Sequence, residues 1–295
     1  MDAAQLSRMT TGKGFVAALD QSGGSTPGAL TRYGIGPDSY SGDAEMFDLI
    51  HAFRTRIITS SVFGGDRVLA AILFEQTMDR EIDGIGIPDF LWDVKEVVPF
   101  LKVDRGLLDA ADGVRLMKPL PDLDALLERA TDRHVFGTKM RSLVQTGNQA
   151  GIDAVLDQQF EIGARILAAG LMPILEPEVD IKAPDKPIAE AMVTAGILDR
   201  LADLPEGAQV MLKLTIPTEA NLYAQLISHP AVLRVVALSG GYSRDEANRL
   251  LAANHGLIAS FSRALTEGLH VDMTDAEFDT ALAESIGSIY TASST

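Results

Sequence analysis

The chain has 295 residues, 46% of them hydrophobic and 22% charged, a balance that excludes a largely disordered protein. Its formal net charge of −16 repels nucleic-acid backbone and anionic membrane, so neither is expected as a partner. It has no cysteine, which excludes a disulfide framework, a cysteine-ligated metal and a thiol nucleophile.

Short apolar runs alternate with longer amphipathic ones along the chain. The pattern predicts strands over 14–19, 68–74, 99–103, 135–144, 172–179, 209–216, 233–238 and 257–261. Between them lie helical patterns. Met46, Phe47, Ile50, Phe53 and Ile57 recur at helical spacing after Asp43. Ile152, Val155, Leu156, Ile162, Ile166 and Leu167 follow Asn148, and Ile188, Met192, Ile197 and Leu201 follow Pro187. Pro217 and Thr218 open a further predicted helix that ends near Ser228. Ser243-x-x-Glu246 and Thr274-x-x-Glu277 read as capping boxes. Eight strands, each followed by a helix, predict an α/β fold with a parallel sheet closed into a (β/α)8 barrel. A doubly wound open sheet is the alternative. No linker divides the chain, so 1–295 reads as one barrel domain, with chemistry expected at the C-terminal strand ends.

Three lysines stand inside apolar strands: Lys102, Lys139 and Lys213. One such lysine is explained by a side chain snorkelling from a strand end. Three are harder to dismiss, and Lys213 has apolar neighbours on both sides. Desolvation and neighbouring cations disfavour the charged form of a buried lysine, and a neutral amine can form a Schiff base with a carbonyl. Glu176 and Glu178 stand two apart on the fifth strand, so both side chains face one side. Two carboxylates facing one site can share proton transfers; the alternative is a solvated strand end. Lys102 and Asp104, and Lys139 and Arg141, pair on a face by the same rule.

Asp20 ends the first strand and leads into Gln21-Ser22-Gly23-Gly24-Ser25. Read alone, Asp20 is a turn or capping residue, and the glycine pair is as much a plain loop as an anion cradle. The seventh and eighth strands end in Ser239-Gly240-Gly241 and Ser260-Phe261-Ser262-Arg263. Those are the two strand ends that commonly hold phosphate in such barrels. The five histidines are scattered and form no HxH or HExxH pair. No metal site is therefore expected from them. No apolar run is long enough to span a bilayer. Residues 1–5 carry neither the basic nor the apolar region of a signal peptide. The absence of cysteine suits a reducing compartment, and a cytoplasmic protein is expected.

In their order, these segments resemble the class I, Schiff-base fructose-1,6-bisphosphate aldolases, most closely a short bacterial branch. The resemblance rests on Leu19-Asp20-Gln21-Ser22-Gly23-Gly24-Ser25, Ile72-Leu73-Phe74-Glu75-Gln76-Thr77-Met78, Lys102-Val103-Asp104, Lys139-Met140-Arg141, Leu175-Glu176-Pro177-Glu178, Leu212-Lys213-Leu214, Ser239-Gly240-Gly241 and Ser260-Phe261-Ser262-Arg263. It implies a metal- and cofactor-independent lyase acting on a phosphorylated ketose, and a homo-oligomer. Lys213 matches the Schiff-base lysine, and Glu176 the acid/base, with Glu178 beside it. Asp20 matches the carboxylate that takes the C4 hydroxyl proton, and Lys139 the lysine that supports proton transfer. Lys102, Arg141, Ser22 and Ser25 match the C6-phosphate end. Ser239, Gly240, Ser260 and Arg263 match the C1-phosphate grip. Three positions depart from the animal enzymes. Gly28 stands where they place a basic residue, Gln21 replaces an acidic one, and only Tyr290 lies near the end to stand in for their tail tyrosine. The alternatives are an aldolase for tagatose-1,6-bisphosphate or another phosphorylated ketose, a phosphosugar isomerase, or a barrel that binds phosphosugar without turnover.

Overall fold

The computed structural model describes all 295 residues. The eight predicted strands all form: β1 (Phe15–Ala18), β2 (Val68–Leu73), β3 (Val98–Lys102), β4 (Gly137–Val144), β5 (Met172–Val179), β6 (Val210–Thr215), β7 (Val232–Leu238) and β8 (Ile258–Phe261). Each pairs in parallel with its neighbours in sequence. Val16 of β1 lies opposite Ser260 of β8, and Phe100 of β3 opposite Gly137 of β4. These pairings close the ring, so the fold is a (β/α)8 barrel and not an open sheet.

The strands read as unbroken apolar runs because both of their faces are buried. Alternate side chains point to opposite sides. On β1, Val16 and Ala18 join a small inner cluster with Ala70, Ile72, Val98, Phe100, Ile174, Met211 and Ile258. Phe15, Ala17 and Leu19 join the larger cluster under the surrounding helices. Inside the barrel the Phe100 and Phe136 rings meet edge to face, 5.4 Å between centroids, a preferred aromatic geometry. Met9 of α1 (Ala3–Thr11) reaches this inner cluster and caps the N-terminal end of the barrel. That helix starts at Asp2, whose carboxylate accepts from the Ala4 and Gln5 N–H groups.

The outer helices include α2 (Thr26–Arg32), α3 (Gly42–Thr59), α4 (Leu123–Asp132), α5 (Gln149–Ala168), α6 (Lys186–Leu201), α7 (Arg244–Ala252) and α8 (Asp275–Ala292). Asn148 caps α5 by accepting from the Gly151 N–H. The Thr274–Glu277 box opening α8 is complete in both directions. The Ser243–Glu246 box is half made. Ser243 accepts from the Glu246 N–H, but the Glu246 carboxylate turns to Arg249. The helix predicted from Thr218 to Ser228 shrinks to one turn, Ala224–Ile227. Asn221 holds a left-handed φ of 64°, and its N–H donates to the Asn254 side chain at 2.8 Å. The Tyr223 hydroxyl donates to the Thr215 carbonyl at 2.9 Å. The segment is thus pinned to its neighbours by side chains in place of helical bonds.

Candidate active site

Following each inward-facing series toward the C-terminal end of its strand, apolar side chains give way to polar ones. β1 runs Val16, Ala18 and then Asp20. β3 runs Val98, Phe100, Lys102. β5 runs Met172, Ile174, Glu176, Glu178. β6 runs Met211, Lys213, and β8 runs Ile258, Ser260. The apolar members fill the barrel floor. The polar members line a cavity of about 900 Å³ above it. Strand periodicity and barrel closure alone therefore converge residues spread over some 240 positions.

At the centre lies a chain of alternating charge. Lys213 Nζ is 3.1 Å from Glu176 Oε1, Lys139 Nζ is 2.9 Å from Glu176 Oε2, and Lys139 Nζ is 2.7 Å from Asp20 Oδ2. All four groups are buried. Register explains the first contact. Leu175 pairs with Leu212, so Glu176 and Lys213 leave the sheet side by side. Burial works against the Asp20 charge, but Lys139, Lys213 and Lys102 outweigh it and hold its pKa well below the carboxylate range. Burial likewise works against the Lys139 charge. Asp20, Glu176 and Asp104 reverse that, so its pKa stands above the ordinary lysine value. Asp20 is an anion and Lys139 a cation at neutral pH.

Lys102 lies opposite Lys139 across β3 and β4. Their repulsion is offset by separate partners. Lys102 Nζ contacts Asp104 Oδ1 at 2.9 Å and donates to the Ser22 hydroxyl at 2.9 Å. Arg141 Nε donates to Glu178. Burial opposes that guanidinium's charge, but Glu178 prevails and raises its pKa. Glu178 thus serves Arg141 and touches neither lysine of the central chain. Ser25 is engaged locally, bridging the Ser22 N–H and carbonyl, as a turn residue would be. Ser239, Gly240, Ser260 and Arg263 line the opposite wall. The buried Ser260 hydroxyl has no protein partner, so it is a donor free for a ligand.

No family model matches the chain. A protein of Synechocystis sp. named fructose-bisphosphate aldolase class 1 is 60% identical over 291 residues, covering 99% of this chain and 97% of its own. One of the same name from Porphyromonas gingivalis is 56% identical over 293 residues, 99% of each chain. The chain belongs to the class 1 fructose-bisphosphate aldolase family. A solved fructose-bisphosphate aldolase from Plasmodium falciparum, in complex with TRAP and a small-molecule inhibitor, superposes with a TM-score of 0.75. It is 22% identical and covers 99% of this chain and 93% of that one, a likeness of fold.

Every site residue matched to this aldolase family from sequence either lines the cavity or stands among the side chains that do. Tyr290 does not reach it. It sits on α8, half-buried against the outer core, and so cannot stand in for a tail tyrosine. Arg54, in the middle of α3, is a member of the site's support that sequence reasoning missed. It is 2% exposed. Its guanidinium donates to the Thr77 hydroxyl at 2.7 Å and to the backbone carbonyl of Gln21, and reaches the Gln21 side-chain oxygen at 3.3 Å. Burial, with Arg80 nearby and against Asp20, pushes its pKa down to about 10, still charged at neutral pH. The signal was present. Arg54 follows Ile50 and precedes Ile58 at four-residue spacing, a charge on the apolar face of its helix.

Proposed function

We propose that this chain reversibly cleaves fructose-1,6-bisphosphate to dihydroxyacetone phosphate and glyceraldehyde-3-phosphate through a Schiff base on Lys213, with residues 1–295 acting as one catalytic barrel. The observation that carries the reading is Glu176, one carboxylate in contact with two lysines of which only Lys213 has no second carboxylate.

Lys213 passes a proton to Glu176 Oε1, and its neutral nitrogen adds to the C2 ketone. Glu176 returns the proton to the carbinolamine hydroxyl, which leaves as water and yields the iminium. Asp20 takes the C4 hydroxyl proton. The C3–C4 bond then breaks, its electron pair moves into the iminium to give an enamine, and the aldehyde departs. Protonation at C3 and hydrolysis free Lys213 and dihydroxyacetone phosphate. Lys139 stays protonated throughout. It contacts both Asp20 and Glu176 and favours the Asp20 anion of the free enzyme, a fixed charge that needs no reorganisation during the reaction. The iminium is the electron sink, so the cycle calls on no metal and no cofactor.

Lys102 and Arg141 grip the C6-phosphate end, with Ser22 and the nearby Ser25 turn. Glu178 orients Arg141. Ser239, Gly240, Ser260 and Arg263 grip the C1-phosphate. Glycolytic chemistry and the lack of cysteine support a cytoplasmic setting, and the family's habit of association supports a homo-oligomer. No helix is long and apolar enough to cross a membrane.

The test is borohydride reduction in the presence of dihydroxyacetone phosphate, followed by peptide mass spectrometry. Reduction converts an imine to a stable secondary amine. The adduct is expected on Lys213. An adduct on Lys102 or Lys139 would reassign the nucleophile. No adduct despite tight ligand binding would favour the isomerase or binding-protein reading.

A further inference from the structure

The cations of the cavity fall into two groups. Lys102, Arg105, Lys139, Arg141 and Lys213 each contact a carboxylate. Arg115 gives its Nε–H to the Leu108 carbonyl. Arg32 and Arg263 remain, both on the cavity wall and neither with a protein partner for its guanidinium. Burial and, after it, the like charge of Arg263 lower the Arg32 pKa. Two unpaired guanidinium groups facing the same space repel unless an anion lies between them, and planar forked donors suit a phosphate.

The position of Arg32 has a local cause. It ends α2, one helical turn after Gly28 and on the same face. A Cβ built on Gly28 would meet one neighbouring atom within 4 Å, Arg32 Nη1 at 3.5 Å. The missing side chain is thus the space over which Arg32 lies. Arg263 is held on the other side by the loop after β7, where Gly241 has a φ of 118° and its absent Cβ would stand 3.2 Å from Arg263 Nη2. Glycine at each position leaves room for a guanidinium close to the backbone.

We infer that Arg32 and Arg263 form a two-arginine clamp for the C1-phosphate of the ketose, with Arg32 supplying from one turn later the positive charge that Gly28 lacks. This rests on the aldolase reading above, and it makes Arg32 a substrate-binding residue. The clamp is specific to a doubly charged phosphate group. An uncharged or singly charged C1 substituent engages one arginine and leaves the other unpaired.

The test compares the full-length protein with Arg32→Ala, Arg32→Lys and the pair Gly28→Lys/Arg32→Ala. Each is assayed on fructose-1,6-bisphosphate and fructose-1-phosphate, with inorganic phosphate as a competitive inhibitor. Arg32→Ala should raise KM for both sugars and the inhibition constant of phosphate by roughly tenfold or more, with kcat within about twofold. Arg32→Lys should lie between. Lysine at 28 should recover most of the loss, because the added charge enters the same space. Unchanged KM and phosphate inhibition in Arg32→Ala would overturn the inference, as would a loss confined to kcat. A rise for the bisphosphate with none for fructose-1-phosphate would overturn the C1 assignment. Absence of cleavage by the unmodified protein would instead overturn the aldolase reading, and phosphate binding by calorimetry would still report on the clamp.

Discussion

Arg54 fastens Gln21. From a buried position on α3 it donates to the backbone carbonyl of Gln21 and reaches its side-chain oxygen at 3.3 Å. Gln21 in turn donates to the Ser262 hydroxyl at 2.7 Å. The residue after Asp20, the proposed general base, is thereby tied both to a barrel helix and to the loop after β8. An acidic side chain at 21 could not make the donor half of this bridge. Glutamine therefore changes the link and does not merely weaken it.

Replacing Arg54 by Met should preserve the fold of the barrel but free the Asp20–Gln21 turn. Small displacements of reacting groups are costly, so kcat should fall about 10- to 100-fold while KM changes little. Arg54→Lys keeps the charge but cannot span Thr77 and Gln21 together, and should recover little of the rate. Steady-state kinetics of the two variants decides this. Full rescue by lysine would mean that charge, and not the bridge, is what Arg54 supplies.

Lys139 is a buried cation between two carboxylates. Lys139→Met takes from Asp20 its contacting cation and leaves Glu176 with Lys213 alone. Breaking a buried pair in this way should destabilise the protein by roughly 3–5 kcal/mol. Urea unfolding at neutral pH measures it. Adding Asp20→Asn to Lys139→Met should restore part of the loss, which a pair of independent sites would not do.

Asp20 also sets a pH dependence. Its pKa in the folded protein is depressed below the ordinary value of 3.8. Its ionisation therefore stabilises the fold above about pH 4 and is lost as pH falls toward the depressed folded value. Unfolding midpoints should drop on acidification below about pH 4, and the drop should be shallower in Asp20→Asn. The same variant should lose about 10²- to 10⁴-fold in kcat at neutral pH, the usual worth of a general base. An equal slope in both proteins would remove Asp20 from the acid-sensitive set.

Lys213→Met should yield a folded protein without cleavage activity, because Glu176 retains Lys139 as its partner. It should also form no borohydride-trapped adduct with dihydroxyacetone phosphate. Near-native turnover by this variant would sink the Schiff-base mechanism.

Gly137 opens β4, between Phe100 of β3 and Met172 of β5. A Cβ there would overlap the Met172 carbonyl oxygen and press on the Phe100 ring. Gly137→Ala should lower the melting temperature by several degrees or more, since one lost kcal/mol shifts the midpoint of a large domain by about 2–4 °C. Differential scanning calorimetry reads the effect directly.

The barrel is legible in the sequence because each strand is buried on both faces and so stands out as an apolar run. The central lysines are legible for the same reason, since Lys213 and Lys139 interrupt those runs. Glu178 shows the limit of that reading. Two-residue spacing places it on the correct face, but not against Arg141, which depends on the β4–β5 register. Arg54 hides because helices tolerate charged residues at many positions, and its burial depends on loops from two other strands. The one-turn helix at Ala224–Ile227 is misread because the bonds that displace helix there come from Asn254 and Thr215.

The row formed by Lys213, Glu176, Lys139 and Asp20 holds two lysines and two carboxyl groups. In the proposed cycle, iminium formation leaves the cation on the Lys213 nitrogen. When the carbon–carbon bond breaks, that nitrogen becomes neutral as Asp20 takes a proton, so one charge of each sign disappears together. The buried row therefore carries the same total before and after bond cleavage. No counter-ion need enter or leave, and the surrounding dipoles need not rearrange to meet a new charge. Added salt should accordingly weaken the capture of the phosphorylated sugar at the mouth while leaving the bond-breaking step beneath it almost untouched.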